Sequence, residues 1–387
     1  MTDNILGILS DEAFAQRMDT LCAIIAKAGT EEDGLGAGTW KDIQRIVRRG
    51  LAPKLFSVGD QLRCKRGNET LVWDIIGIDH DIPSDKSMTH SMTLQLHDCF
   101  TLLQYDAKEA FYYTETGLTA GTYHFTVGQH PFVDSENGKT YQFTLTYPVP
   151  AGGHLVLAAA HNASIEGTNI SSYANGYSDT VETVTLTSGT AGTNLGTVNT
   201  AANENFNSFP HAIFGSSNYA QSALKQYIGS TADEGAVWKP QTKFDRAPSW
   251  AANTAGFLCG MDENFLSVVG EVDKITALNT VSDSGGSVTA SEKFFLLSCS
   301  EVYGGNNNRI NEGHPYPYYS GNSDLSAAGT GADSNRIKHL GGTAQYWVLR
   351  SPYTATAHSM RTVYPAGDLR VSAASASVAI APACCII

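Results

Sequence analysis

Charge is scarce in this sequence, and positive charge is scarcest: Lys and Arg total 25 against 38 Asp and Glu, a formal net charge of −13 over 387 residues. No basic stripe is available to neutralise phosphates, which argues against a nucleic-acid binder. No apolar run approaches the ~20 residues that span a bilayer, so no membrane insertion is expected. The opening MTDNILGILSDEAF has neither a basic n-region nor a long apolar core, so a secretory leader is not indicated. The seven cysteines are odd in number and show no CxxC spacing. That argues against a disulfide framework or a zinc ribbon and for folding in a reducing cytoplasm. Catalytic fingerprints are also missing: GxSxG, the P-loop and HExxH do not occur, and GLGAGT (34–39) lacks the preceding strand of a dinucleotide site. No enzyme activity and no cofactor are expected.

What the sequence does have is Gly (37 residues), Ser, Thr, Asn and short alternating runs, a balance that suits a strand-rich, loop-rich chain. Two helices are expected first. One covers 10–28, with Ser10 as cap and Phe14, Met18, Leu21 and Ile25 on one face; the other begins at Thr39–Asp42 and stops at Gly50. From Phe56 the period becomes two, with a turn at Arg66-Gly67-Asn68. Residues 108–203 hold further alternating strands between Gly, Asn and Pro turns, as in a small antiparallel sandwich. SEKFFLLSCSEVYGG reads as a buried strand running into a turn, and 304–342 as a long ordered loop.

Two clusters invite chemistry. IDHDIPSDKSMTHSMTLQLHDC gathers Asp79, His80, Asp81, His90, His97, Asp98 and Cys99. Its spacing matches no known zinc pattern, so buried hydrogen bonding is the expected role and no metal is assigned. The Tyr-rich NEGHPYPYYSGN (311–322) suits a self-packed loop and a binding lip equally.

Several segments taken in order carry a resemblance. VGDQL…VWDIIGID, AQSALKQYI, KFFLLSCSEVYG, YWVLRSP and the closing VAIAPACCI resemble the formylglycine-generating-enzyme-type branch of the C-type lectin fold. They are similar in particular to the variable proteins of diversity-generating retroelements. The resemblance implies an α+β chain with three parts: an N-terminal helical attachment region (1–53), a discontinuous C-type-lectin-like domain (54–107 plus 204–387), and an inserted β-domain (108–203). It also implies a non-enzymatic receptor-binding or adhesion protein of a phage tail or fibre, made in the host cytoplasm and carried on the virion. Its partners would be a host cell-surface receptor, protein or glycan, and other tail proteins, with a homotrimer as the assembly that analogy with phage fibres implies. A structural virion or bacterial cell-surface protein that uses the same domain for assembly is the alternative. The enzyme branch uses a cysteine pair, and the close pair here, Cys384-Cys385, sits in the final apolar strand, where a small core residue is the ordinary reading.

On this resemblance, Trp347, Leu349, Arg350, Pro352 and Gly367 are scaffold, as are Leu369, Val378, Ile380 and Pro382. The variable ligand-binding face is Tyr346, Tyr353, Thr354, Thr356, His358, Ser359, Arg361, Thr362, Tyr364, Arg370, Ser372, Ser375 and Ser377. Diversification in the family acts on adenines and does not create Lys, Glu, Gln, Met or Trp. Residues 353–377 contain none of the first three, no Trp and one Met. Tyr and Arg supply anchoring area in a binding face, and Ser supplies adaptable hydrogen bonds. An exposed polar hairpin without a ligand fits the same residues.

Overall fold

The computed structural model describes residues 37–107, 110–114, 116–127, 138–149, 151, 153–159, 181–198, 212–214, 217–241, 247–280, 283–304, 310–319, 334–355 and 359–387. They form a mixed helix-and-strand structure in which strands predominate. No helix among them is long and apolar enough to cross a membrane. The helix expected over 10–28 lies outside the described residues.

Helix α1 (Ala37–Arg48) buries Trp40, Ile43, Ile46 and Val47, none more than 3% exposed. It starts two residues before the expected cap, so Thr39 lies within its first turn. Gly50, at φ +67°, ends it, and a Cβ there would meet the His90 ring at 2.7 Å. Trp40 packs on Phe265 at 4.7 Å. Four large side chains buried this fully are worth several kcal/mol, at roughly 1.5–3 each. The apolar face of this helix therefore packs into the main core, while residues 1–36 of the expected helical attachment region (1–53) lie outside the described residues.

A short α2 (Ala52–Leu55) leads into the hairpin of β1 (Gln61–Arg66) and β2 (Glu69–Ile78), which turns at Gly67, φ +55°. Then come β3 (Met92–Leu96) and β4 (Leu102–Gln104). Next the chain makes an excursion through β5 (Ala110–Thr114), β6 (Gly121–Val127), β7 (Thr140–Leu145), β8 (Gly153–Ala159), β9 (Val181–Ser188), β10 (Thr193–Val198) and β11 (Ala212–Phe214). These strands pair among themselves in the order β10-β6-β7-β9-β8-β5-β11. Alternate residues Tyr123 and Phe125 of β6, and Tyr141, Phe143 and Leu145 of β7, are buried. The first and last strands of the excursion are neighbours, with Ala212 opposite Tyr112. Strand β11 extends this unit past residue 203.

After α3 (Ala223–Ile228) and α4 (Glu263–Leu266) come β12 (Val269–Gly270), β13 (Val272–Ala277), β14 (Ser287–Glu292) and β15 (Phe294–Phe295). What reads in sequence as a strand ending in a turn contains α5 (Cys299–Tyr303). A capping box starts it: Glu301 N donates to Ser298 Oγ at 3.1 Å, and Ser298 N donates to Glu301 Oε2 at 2.8 Å. The small hairpin β16 (His339–Leu340) and β17 (Thr343–Ala344) precedes β18 (Trp347–Pro352), β19 (Ser359–Val363), β20 (Leu369–Ala373), β21 (Ser377–Ala379) and β22 (Ala383–Ile386).

Two sheets organise the body. One runs β1-β2-β3-β22-β12, with β15 also on β22; the other runs β20-β19-β18-β21-β4. Strand β22 is apolar throughout because the first sheet is covered on both sides. Cys384 faces a cluster with Trp40, Trp73 and Phe265, while Cys385 faces one with Phe295, Tyr316 and Trp347. Adjacent residues of a strand point to opposite faces, so these two thiols do not face each other. Burial pushes both well above the usual thiol range.

Candidate functional site

The C-terminal sheet rests on buried charge. Arg350, fully buried on β18, makes a two-pronged contact with Glu301: Nη1 to Oε2 at 2.6 Å and Nη2 to Oε1 at 3.0 Å. Its remaining donors reach the carbonyl oxygens of Leu296, Ile275 and Glu312. Lys274 Nζ donates to Glu301 Oε1 at 3.0 Å and to Tyr316 OH at 2.7 Å, and also contacts Asp81. Burial works against the Lys274 ammonium, but Asp81 and Glu301 outweigh it and hold its pKa above the ordinary lysine value. Burial likewise pushes Asp81 and Glu301 up, and the cations bring both below the usual carboxylate range. A network whose members all find partners fixes α5, β13 and β18 to one another.

Trp347 and Leu349 have no exposed surface, and Trp347 Nε1 donates to Arg336 O at 2.9 Å. Pro352 and Gly367 are buried, as are Val378, Ile380 and Pro382, while Leu369 is half-buried. Gly367 sits at φ +88° in the β19–β20 turn, where its carbonyl accepts the Tyr303 hydroxyl at 2.9 Å.

The thirteen residues expected on one face are distributed differently. Thr354, Ser359, Thr362 and Ser375 are buried, at 7% exposure or less. Thr356 and His358 lie outside the described residues. Arg361 stands opposite Val371, and the next residue, Thr362, stands opposite Arg370. Alternation therefore puts Arg361 and Arg370 on opposite faces of the sheet. On one face the Arg361 guanidinium lies over Tyr353, 4.8 Å from the ring centre. On the other, Tyr346 meets Tyr364 edge-to-face at 4.7 Å, and Arg370 covers Tyr364 at 5.5 Å. Arg370 Nε also pairs with Asp368 Oδ2 at 2.7 Å. Ser372 is half-buried beside Thr362, and Ser377 is exposed. The single expected face is corrected to two clusters. Asp368 was not among the expected residues, although its place two positions before Arg370 in a turn is a usable signal.

The histidine-rich segment does not converge on one point. His97 Nδ1 pairs with the buried Asp74 at 2.9 Å, and His90 Nδ1 with Asp79 at 3.1 Å. His80 stacks on Tyr316 at 4.1 Å. Among the described residues no three His, Cys, Asp or Glu form a metal-holding group. Burial raises the Cys99 thiol to about 12. In the Tyr-rich segment, Tyr316 and Tyr319 are core residues, and Tyr318 OH donates to Asp74 Oδ2 at 2.9 Å.

A family model described as a domain of unknown function (DUF6273) matches residues 195–387. The match takes in the whole C-terminal sheet except β4, and it omits β1 to β3, of which β3 pairs with β22 in the other sheet. No curated protein and no solved structure matches the chain.

Proposed function

We propose that this chain is a non-enzymatic receptor-binding or adhesion protein whose C-terminal sheet presents the Tyr346–Tyr364–Arg370–Asp368 cluster to a host-surface ligand. The observation that carries the reading is the contrast between neighbours at the start of β18. Tyr346 is 39% exposed and Trp347 is fully buried, so ligand contact and core packing fall to different side chains. Two aromatic rings and an arginine, held by mutual contacts, match the residue types that dominate binding energy at interfaces. The resemblance to C-type-lectin-like variable proteins of diversity-generating retroelements supports this choice of surface and suggests a phage tail or fibre as its carrier. The excursion β5–β11 is then an inserted domain, because its two ends lie side by side.

The test compares the full chain with a Tyr346→Ala, Tyr364→Ala, Arg370→Ala variant for binding to envelope preparations from candidate host bacteria. Binding should fall at least tenfold, with the unfolding midpoint nearly unchanged. Undiminished binding would remove this cluster from the function.

A further inference from the structure

The outer edge of the C-terminal sheet has unpaired strand chemistry. Strand β20 is the last in its sheet, paired to β19 alone. Tyr364 N donates to Asp368 O at 2.7 Å, which fixes the phase of the ladder. The hydrogen-bonded pairs are then Thr362–Arg370 and Met360–Ser372, alternating with Arg361–Val371. Tyr353 N donating to Ser359 O, on the far side of β19, agrees with that phase. The backbone groups of Leu369 and Val371 and the N–H of Ala373 therefore point away from β19. They have no partner among the described residues. Val371 is 41% exposed, and no strand among the described residues pairs with this edge.

Proteins blunt such edges with bulges, prolines, lysines or a covering segment. Other edges in this chain show these devices. Strand β10 has a register shift and Gly196 at φ +88°, β1 carries Arg63, Lys65 and Arg66, and on β4 the Trp250 indole donates to Gln104 O at 3.0 Å. Strand β20, Leu-Arg-Val-Ser-Ala, has no bulge, no proline and no lysine, and its one charge is already paired with Asp368.

We propose that β20 pairs antiparallel with β20 of a second copy of this chain about a two-fold axis at Val371. This register overlaps the whole strand. Val371 faces the partner's Val371, Leu369 faces the partner's Ala373, and Arg370 faces Ser372 of the partner subunit. Shifting the axis to Arg370 sets two guanidinium groups directly opposite, which disfavours that register. A two-fold contact between identical edges is self-complementary and closed, so it ends at a dimer and does not grow into a fibre. The partner then places Ser372 beside Arg370 of the candidate binding cluster, so each cluster is completed by the other copy.

Sedimentation of the full chain and disulfide trapping test this without any ligand, and so independently of the adhesion reading. The full chain should sediment at twice the monomer mass at micromolar concentration. Val371→Pro, which removes an outward N–H, and Val371→Lys, which sets two ammonium groups opposite each other, should both sediment as monomers with unchanged circular dichroism. Facing residues in a hydrogen-bonded pair are ~5.5 Å apart at Cα, within disulfide range. Under mild oxidation Val371→Cys should therefore give a covalent dimer that the parent chain does not. A monomeric parent chain, dimers that survive both substitutions, or a Val371→Cys chain that crosslinks no more than the parent would overturn the inference.

Discussion

At the residue scale, neighbouring side chains have opposite duties. Trp347 is fully enclosed, and replacing it by Ala should cost about 3–5 kcal/mol in urea unfolding. Replacing Tyr346, the residue before it, should change stability by less than ~0.5 kcal/mol. Arg350→Met should also be severe, at about 3–5 kcal/mol, because it leaves the Glu301 carboxylate buried with Lys274 as its remaining cation. An unfolding midpoint for Arg350→Met close to that of the parent would show that the network contributes little. The scaffold tryptophan and leucine were legible in the sequence as a large apolar run. Which polar residues reach the surface was not. That depends on which strand lies on each side, and no residue states this by itself. Thr362, for example, is polar and yet enclosed.

At the element scale, the pair of Asp74 and His97 fastens Tyr318 and Lys338 to β2 and to the end of β3. Tyr318 OH donates to Asp74, and Lys338 Nζ donates to His97 O at 2.9 Å. Burial pushes the Asp74 carboxyl up, but His97, Lys338 and Tyr318 outweigh it and hold it below its ordinary 3.8. The hydrogen bond to Asp74 raises His97 above its ordinary 6.5, against burial. The raised histidine contributes stability fully below 6.5 and loses it as pH rises through its folded value. The depressed carboxyl contributes above 3.8 and loses it as pH falls. The fastening is therefore strongest between those values and weakens as pH rises above 6.5 through the higher folded value of His97. Amide-exchange protection of residues 334–340 should drop as pH rises beyond 6.5 through the raised folded value of His97, and His97→Gln should flatten that drop. A pH-independent protection in the parent chain would contradict the assignment. Sequence spacing could not pair Asp74 with His97, because the contact is made across the β2–β3 ladder. The helix α5 was more accessible: Ser298 and Glu301 spell its capping box. The apolar run before them and its five-residue length hid it.

At the scale of the whole molecule, alternation and turn residues made the strands of β6 to β9 readable, while their sheet order, with parallel β8–β9 and β10–β6 pairs, was not. A parallel pair is joined by a long crossover and not by a tight turn, so the residue pattern within either strand carries no record of it. The ends of the excursion pair through β5 and β11, so replacing residues 110–214 by a short Gly-Ser linker should leave the remaining body folded and cooperative in thermal unfolding. Loss of a cooperative transition would show that the seven-stranded sheet supports the rest. Residues 37–50 differ in this respect. Trp40 and Val47 are fully buried in the main core, so deleting that stretch should unfold the chain and not merely detach it. On the proposed function, the surface of the C-terminal sheet varies freely over a fixed scaffold. A library randomised together at Tyr346, Tyr364, Arg370 and Ser377, displayed and sorted first for protease resistance and then for adhesion to different bacterial strains, measures this directly. Most members should resist protease, and adhesion should be lost or redirected among them. A library that mostly loses protease resistance, or whose stable members all adhere as the parent does, would contradict it.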